Sequence, residues 1–247
     1  MKRFKTIFHY LIAFILIFIF LQFSLARLGM NLNFMILLEF KTRILHGFIM
    51  TLQISIISLI LSLLIGILTC AGLRSKYGLL KALMNSYVQF IRGTPLIMQI
   101  YLFFYIIGTA WGITNRFIAG VLILSVFEGA YIAEILRGGL NSINASQLEV
   151  AKAVGFNKKQ TLRLVVYPQL FNKVLPALAG QFASIIKDSS LLSMISVIEL
   201  MQTIREISAT NYRILEAYFL LGILYLCLTL PLSLLTKRME RRFNYEA

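Results

Sequence analysis

Apolar residues along this chain gather in long runs separated by short polar stretches. Crossing a bilayer takes roughly 20 mostly apolar residues, since each adds about 1.5 Å of rise and the hydrocarbon core is about 30 Å thick. Six runs meet that length, at residues 7–25, 44–73, 86–110, 117–136, 174–200 and 215–236. The pattern predicts an all-α integral membrane protein with about six transmembrane helices. The first run follows Met1-Lys2-Arg3-Phe4-Lys5, a basic start that secretory signal peptides share. It is long for such a peptide, and Leu25-Ala26-Arg27-Leu28 makes a poor small-residue cleavage site, so it reads as a retained span. The longest polar stretch is residues 138–173.

Composition strengthens this picture. Of 247 residues 59% are hydrophobic and 14% charged, whereas a soluble domain is nearer half apolar and about a quarter charged. A soluble enzyme is thereby excluded. Lys and Arg number 24 against 10 Asp and Glu, a formal charge of +14. In a soluble protein that excess would suggest nucleic acid; in a membrane protein it first reports the basic bias of cytoplasmic loops. One side of the spans collects Lys2, Arg3, Lys5, Arg74, Lys76, Lys81, Arg137, Lys152, Lys158, Lys159, Arg163, Lys173, Lys237, Arg238, Arg241 and Arg242. The other holds only Arg27, Lys41, Arg43, Arg116, Arg205 and Arg213. The richer side is expected in the cytoplasm, with both termini and residues 138–173. No nucleic-acid partner is expected; lipid surrounds the spans. Cys70 and Cys227 lie in apolar runs without ligand spacing, and His9 and His46 lack nearby Glu or Cys. They predict no disulfide, metal site or catalytic group.

Within the polar stretch, Leu148, Ala151 and Val154 fall at helical spacing flanked by Glu149 and Lys152. Gly155 supplies a C-cap and Asn157 can cap a second helix ending near Pro168. The expectation is two short helices joined by a turn beneath the membrane, which by itself also fits an amphipathic interfacial connector. The order Glu149-Val150-Ala151, Gly155, Val165, Tyr167-Pro168 resembles the EAA-loop signature of membrane permeases of ATP-binding-cassette importers. Arg92-Gly93-Thr94-Pro95-Leu96 with Gln99 resembles the polar amino acid branch of that family. So do Glu128-Gly129-Ala130-Tyr131-Ile132-Ala133-Glu134 through Gly139, Lys187-Asp188-Ser189-Ser190-Leu191-Leu192 with Glu199-Leu200, and Thr51-Leu52-Gln53-Ile54-Ser55 after Gly47. Three positions depart from the pattern: Val150 stands where Ala is usual, Ala145 where Gly is, and Ser189 where Thr is.

The resemblance implies a five-helix permease core at about residues 44–247, an N-terminal span and external loop at 1–43, and a coupling loop at about 145–168. Coupling to an ATPase would fall to Glu149, Val150, Ala151, Gly155, Val165 and Pro168. Such an importer needs a rigid lever rather than a catalytic group. Gly155→Asp or Glu149→Lys should then leave the protein in the membrane but uncouple ATP hydrolysis from uptake. The implied partners are a second permease copy or sibling, a cytoplasmic ATPase dimer and an extracytoplasmic amino acid binding protein. The chain has no G-x-x-x-x-G-K-[ST] loop, so ATP and Mg belong to the ATPase and this chain binds no cofactor. The implied location is the bacterial inner membrane.

Charges inside spans cost roughly 2.5–3.5 kcal/mol even on insertion scales, so each should face a cavity or partner. Lys187 and Asp188 are helical neighbours about 100° apart and cannot simply neutralise each other, which makes Glu128 the natural partner for Lys187. These groups either fix helix register as a buried pair or, with Ser189 and Ser190, line the translocation path or gate. Arg92, Thr94 and Gln99 are further path candidates; Arg92 can snorkel, and Thr94-Pro95 should kink or break the third span. Glu134 and Arg137 are expected to pair on one helical face. A gradient-driven secondary transporter or channel is the alternative class, but it calls for inverted repeats and paired broken helices, and no internal repetition is visible.

Overall fold

The computed structural model describes residues 2–27 and 32–244, without the side chains of residues 2–7, 10, 14, 21 and 241–244. Met1, Leu28 and the side chains of Lys2, Arg3, Lys5, Arg241 and Arg242, used above for cleavage and orientation, lie outside that set. Two compact units divide at Glu39/Phe40. The first contains α1 (Lys2–Arg27), whose described side chains such as Phe8, Leu16 and Phe20 are exposed. The second begins with α2 (Lys41–Leu73) and is helical, with no strand among the described residues.

The spine of the second unit is α2 packed along α5 (Arg116–Asn141). Small residues permit the approach. Gly47, Thr51, Ser55, Ser58, Ser62 and Gly66 form a buried stripe on α2, the pattern by which membrane helices come close when lipid offers no hydrophobic drive between them. A Cβ on Gly66 would sit 2.5 Å from Ile132 Cγ2, and one on Gly129 2.5 Å from Ile65 Cγ2, so each helix receives the other's isoleucine over a glycine. Overpacking typically costs about 1–3 kcal/mol. Gly129→Val should therefore lower the melting temperature of the purified protein, while Gly138→Val, where nothing lies within 4 Å, should not; differential scanning fluorimetry in detergent compares them.

The expected third span is broken. α3 (Gly78–Gly93) meets α4 (Leu96–Tyr101) and its π-helical continuation Leu102–Gly108 at an angle of 115°. Pro95 forces Thr94 into extended backbone (φ −127, ψ 150), as the ring does to a preceding residue. The break thus falls at Thr94-Pro95 as expected, but the helix before it starts at Gly78 rather than near residue 86.

The segment beyond the polar loop differs more. After α6 (Ala145–Ala153) come α7 (Lys158–Thr161), a π-helical stretch Leu162–Val166, and α8 (Tyr167–Asp188). The second short helix does not end near Pro168. It runs on into α8, because Pro168 falls in the first turn after the π stretch, where the missing N–H matters least. Nor does a span continue through residues 174–200. Helix α8 stops at Asp188 and a 3-10 stretch Ser189–Ile195 follows. Ser189 and Ser190 turn their hydroxyls onto the carbonyls of Ile186 (2.7 Å) and Lys187 (2.6 Å), the local competition by which serine ends helices. Ser196 then adopts left-handed backbone (φ 56) before α9 (Leu200–Asn211) and α10 (Ile214–Asn244).

By length and apolarity alone, Phe34–Leu73, Arg116–Asn141 and Ile214–Glu240 can cross a membrane, and the bent pair makes a fourth. Helix α8 has 22 residues but carries Gln169, Asn172, Lys173 and Gln181. The core draws Ile54 of α2, Ile91 of α3, Ile100 of α4, Leu124 of α5, Ile185 of α8 and Leu192 of the 3-10 stretch into one cluster.

Candidate coupling and translocation sites

Helix α6 is started by Asn144, whose Oδ1 accepts from Ser146 N at 3.1 Å. It is closed by Gly155 N donating to Lys152 O (3.0 Å) and Phe156 N to Ala151 O (2.9 Å). That closure needs φ +86 at Gly155, a conformation glycine enters without cost and branched residues resist. Asn157 and Gln160 then form a reciprocal capping box, each side chain accepting the other's backbone N–H at 2.9 Å. The sequence anticipates both caps. Between the two helices lies an open cleft of about 290 Å³ lined by Val150, Ala151, Val154, Phe156 and Val165. Ala151 forms its buried floor, Val150 is 61% exposed at the rim, and Glu149 and Pro168 are exposed. Five of the six coupling candidates thus lie on or beside this helix pair, and Pro168 opens α8 directly behind it.

The path candidates separate into two groups. In the first, Arg92 Nη1 donates to Glu134 Oε2 across helices (2.9 Å), and Arg137 grips the same carboxylate with Nε (2.6 Å) and Nη2 (2.8 Å). The expected Glu134–Arg137 pair is present, and Arg92 is tied to it rather than reaching outward alone. Thr94 Oγ1 donates to Phe90 O at 2.8 Å. Gln99, fully buried, spends its Nε2 on Ile91 O (2.8 Å) and Thr94 Oγ1 (2.7 Å). Thr94 and Gln99 pin the elbow at Pro95, satisfying carbonyls that a broken helix would leave bare in the membrane.

The second group surrounds Glu128. This carboxylate is 0% exposed, and its Oε2 accepts from Gln181 Nε2 of α8, with the Asp188 carboxyl beside it. Among the described residues Oε1 has no hydrogen-bond donor. The expected Glu128–Lys187 pair does not form, because Lys187 closes α8 with an exposed side chain. Gln181 takes its place. The sequence held a signal for it: Gln181 precedes Asp188 by seven residues, two turns along one helical face.

Ser189 is buried, and both it and Ser190 direct their hydroxyls to backbone. Two groups the sequence reading left without roles are also joined here. Glu199 and Tyr225 meet through Tyr225 Oη and Glu199 Oε2 at 3.2 Å.

A polytopic helical unit with a capped helix pair at one end and buried polar groups between α5 and α8 has the architecture of an importer permease. The chain belongs to the family of inner membrane components of binding-protein-dependent transport systems, which it matches over residues 62–245. It is 31% identical to the probable glutamine ABC transporter permease protein GlnM of Bacillus subtilis, covering 86% of this chain and 99% of that one. To the glutamine transport system permease protein GlnP of Escherichia coli K12 it is 36% identical, over 81% and 93% of the two chains. The crystal structure of an amino acid ABC transporter with histidines superposes with a TM-score of 0.79 at 31% identity, over 86% of this chain and all of that one.

Proposed function

We propose that this chain passes polar amino acids across the bacterial inner membrane as one permease of a pair, powered by a separate ATPase dimer and supplied by an extracytoplasmic binding protein. The amino acid class rests on the relatives named for glutamine transport and on the motifs around Arg92, Glu128 and Lys187. ATP and Mg are held by the ATPase. In this reading the α6–α7 pair faces the cytoplasm, where both termini also lie, and its cleft meets the ATPase through Val150, Ala151, Gly155 and Val165 with Glu149 at the edge.

One observation carries the reading. From Lys158 to Asp188 every residue is helical, so Val165 on the cleft and the polar residues Gln181 and Asp188 beside Glu128 lie on one uninterrupted element. A stand-alone channel has no use for an exposed apolar cleft at the far end of such an element. The test is purification in gentle detergent with the candidate ATPase, followed by reconstitution into vesicles. ATP-dependent uptake of a polar amino acid, and loss of ATPase co-purification on Val154→Asp, are expected. Uptake by this chain alone without ATP would overturn the assignment.

A further inference from the structure

Helix α8 has three sides, and one of them meets nothing in its own chain. Lys173, Ala177, Gly180, Ser184 and Lys187 recur at intervals of four and three, so they fall within about 80° of one another around the helix. Lys173, Ala177 and Lys187 are exposed and Gly180 and Ser184 half-buried; a Cβ on Gly180 would meet nothing within 4 Å. Gln181, on a second side, reaches Glu128 of α5. Phe171 and Leu175, opposite the stripe, are exposed and apolar and suit lipid.

The stripe lies at membrane depth. A Cβ on Gly139 of α5 would strike Val174 Cγ2 at 2.5 Å, and one on Gly120 would touch Leu192 Cδ1 at 3.0 Å. Residues 174–192 therefore run beside most of α5, and Gly180 lies at the level of Glu128, the middle of that helix. Lipid is a poor cover for this face, since ionisable side chains at such depth turn to protein or water. Lys187 makes no ion pair among the described residues. Snorkelling of its Nζ would leave Gly180 and Ser184 against acyl chains, and the neighbouring carboxyls of Glu128 and Asp188 without a cation.

Self-complementarity identifies the cover. Every copy of the chain inserts with the same side in the cytoplasm, so two copies are related by a two-fold axis along the membrane normal. Like residues then face each other at equal depth, Gly180 against the partner's Gly180 and Ser184 against the partner's Ser184. Small residues are what let two membrane helices approach. Lys187 and Asp188, about 100° apart, occupy opposite edges of the stripe. A two-fold rotation sets each edge against the opposite edge of the twin helix, which puts Lys187 beside the partner's Asp188 twice over. We propose that the α8 stripe is the contact between two copies of this chain, fixed by reciprocal pairs of Lys187 with the partner's Asp188. The proposal rests on the permease reading above and specifies how the pair is built.

The test uses membranes holding the chain with its ATPase and binding protein, in a background with Cys70 and Cys227 replaced by Ala. A short bifunctional maleimide should join two copies through Gly180→Cys or Ser184→Cys. Leu175→Cys, on the lipid side, should not be joined. Ala177→Cys, on the same stripe, replaces either variant that fails to accumulate. Adding Lys187→Glu to Ser184→Cys should cut the joined fraction by about tenfold, as expected for one partner lost from a desolvated charge pair. Adding Asp188→Lys as well should restore it, because the exchange rebuilds both pairs. No joining through the stripe, or equal joining through Leu175→Cys, in a complex that takes up substrate on ATP overturns the proposal and spares the permease reading. So does a complex with one copy of this chain beside a sibling permease. Joining that Lys187→Glu leaves unchanged, or that the exchange does not restore, also overturns it. Absence of ATP-driven uptake in the unaltered complex overturns the permease reading itself.

Discussion

Gly155→Val is expected to reduce ATP-driven uptake by about tenfold or more, equivalent to ~1.4 kcal/mol, while the protein still accumulates in the membrane. The cause is backbone geometry rather than crowding. Gly155 holds φ +86, and nothing lies within 4 Å of where its Cβ would point. A left-handed conformation costs an ordinary residue roughly 1–2 kcal/mol, and β-branched side chains resist it most. That cost is relieved by opening the turn, which breaks the closures from Gly155 N and Phe156 N and reorients α6 against the capping box at Asn157. The lining of the cleft then separates, with Val150, Ala151 and Val154 on one side and Phe156 and Val165 on the other. Gly155→Asn tolerates positive φ and should retain most uptake, whereas Gly155→Asp combines tolerable backbone with a new charge at the cleft. Immunoblots of the membrane fraction with initial uptake rates check the series; equal uptake by wild type and the valine variant would remove the turn from the coupling mechanism.

A second large effect is expected at the polar contact between α5 and α8. Gln181→Leu strips the buried Glu128 carboxylate of its amide donor, and breaking such a pair from one side costs about 1–3 kcal/mol or more for a charged group. Abundance and uptake should both fall. Replacing both partners by apolar residues removes that penalty, so Glu128→Leu with Gln181→Leu should recover abundance. If Glu128 lines the translocation path, uptake should not recover with it. Quantifying protein in the membrane beside uptake in wild type and both variants separates the roles. Recovery of uptake together with abundance would confine Glu128 and Gln181 to holding the helices together.

The main helices were legible because a membrane demands continuous apolar length. Residues 44–73, 117–136 and 215–236 lie within α2, α5 and α10. The helix pair was legible because Gly155 and Asn157 act through their own backbone neighbours. Reading failed where the outcome depended on distant residues. Apolar count alone carried the fifth run past Asp188, although four serines in residues 189–196 offered hydroxyls that end a helix. Pro168 looked like a stop because the widened π turn before it leaves no mark in the sequence. Lys187 was assigned to Glu128 on charge, yet which side chain of α8 faces α5 depends on how two helices are rotated, and that rotation presents Gln181.

The helical run from Lys158 to Asp188 comprises 31 residues, about 46 Å at 1.5 Å per residue. Over that distance angle becomes displacement. If the end at Lys158 pivots by about 10°, the end at Asp188 sweeps an arc of roughly 8 Å, enough to carry a carboxylate from one set of partners to another. Small rotations at the coupling end would therefore suffice to move the Asp188 end, and how far it moves depends on where along the run the fulcrum lies. The packing of α8 against α5 and α10 is what places it.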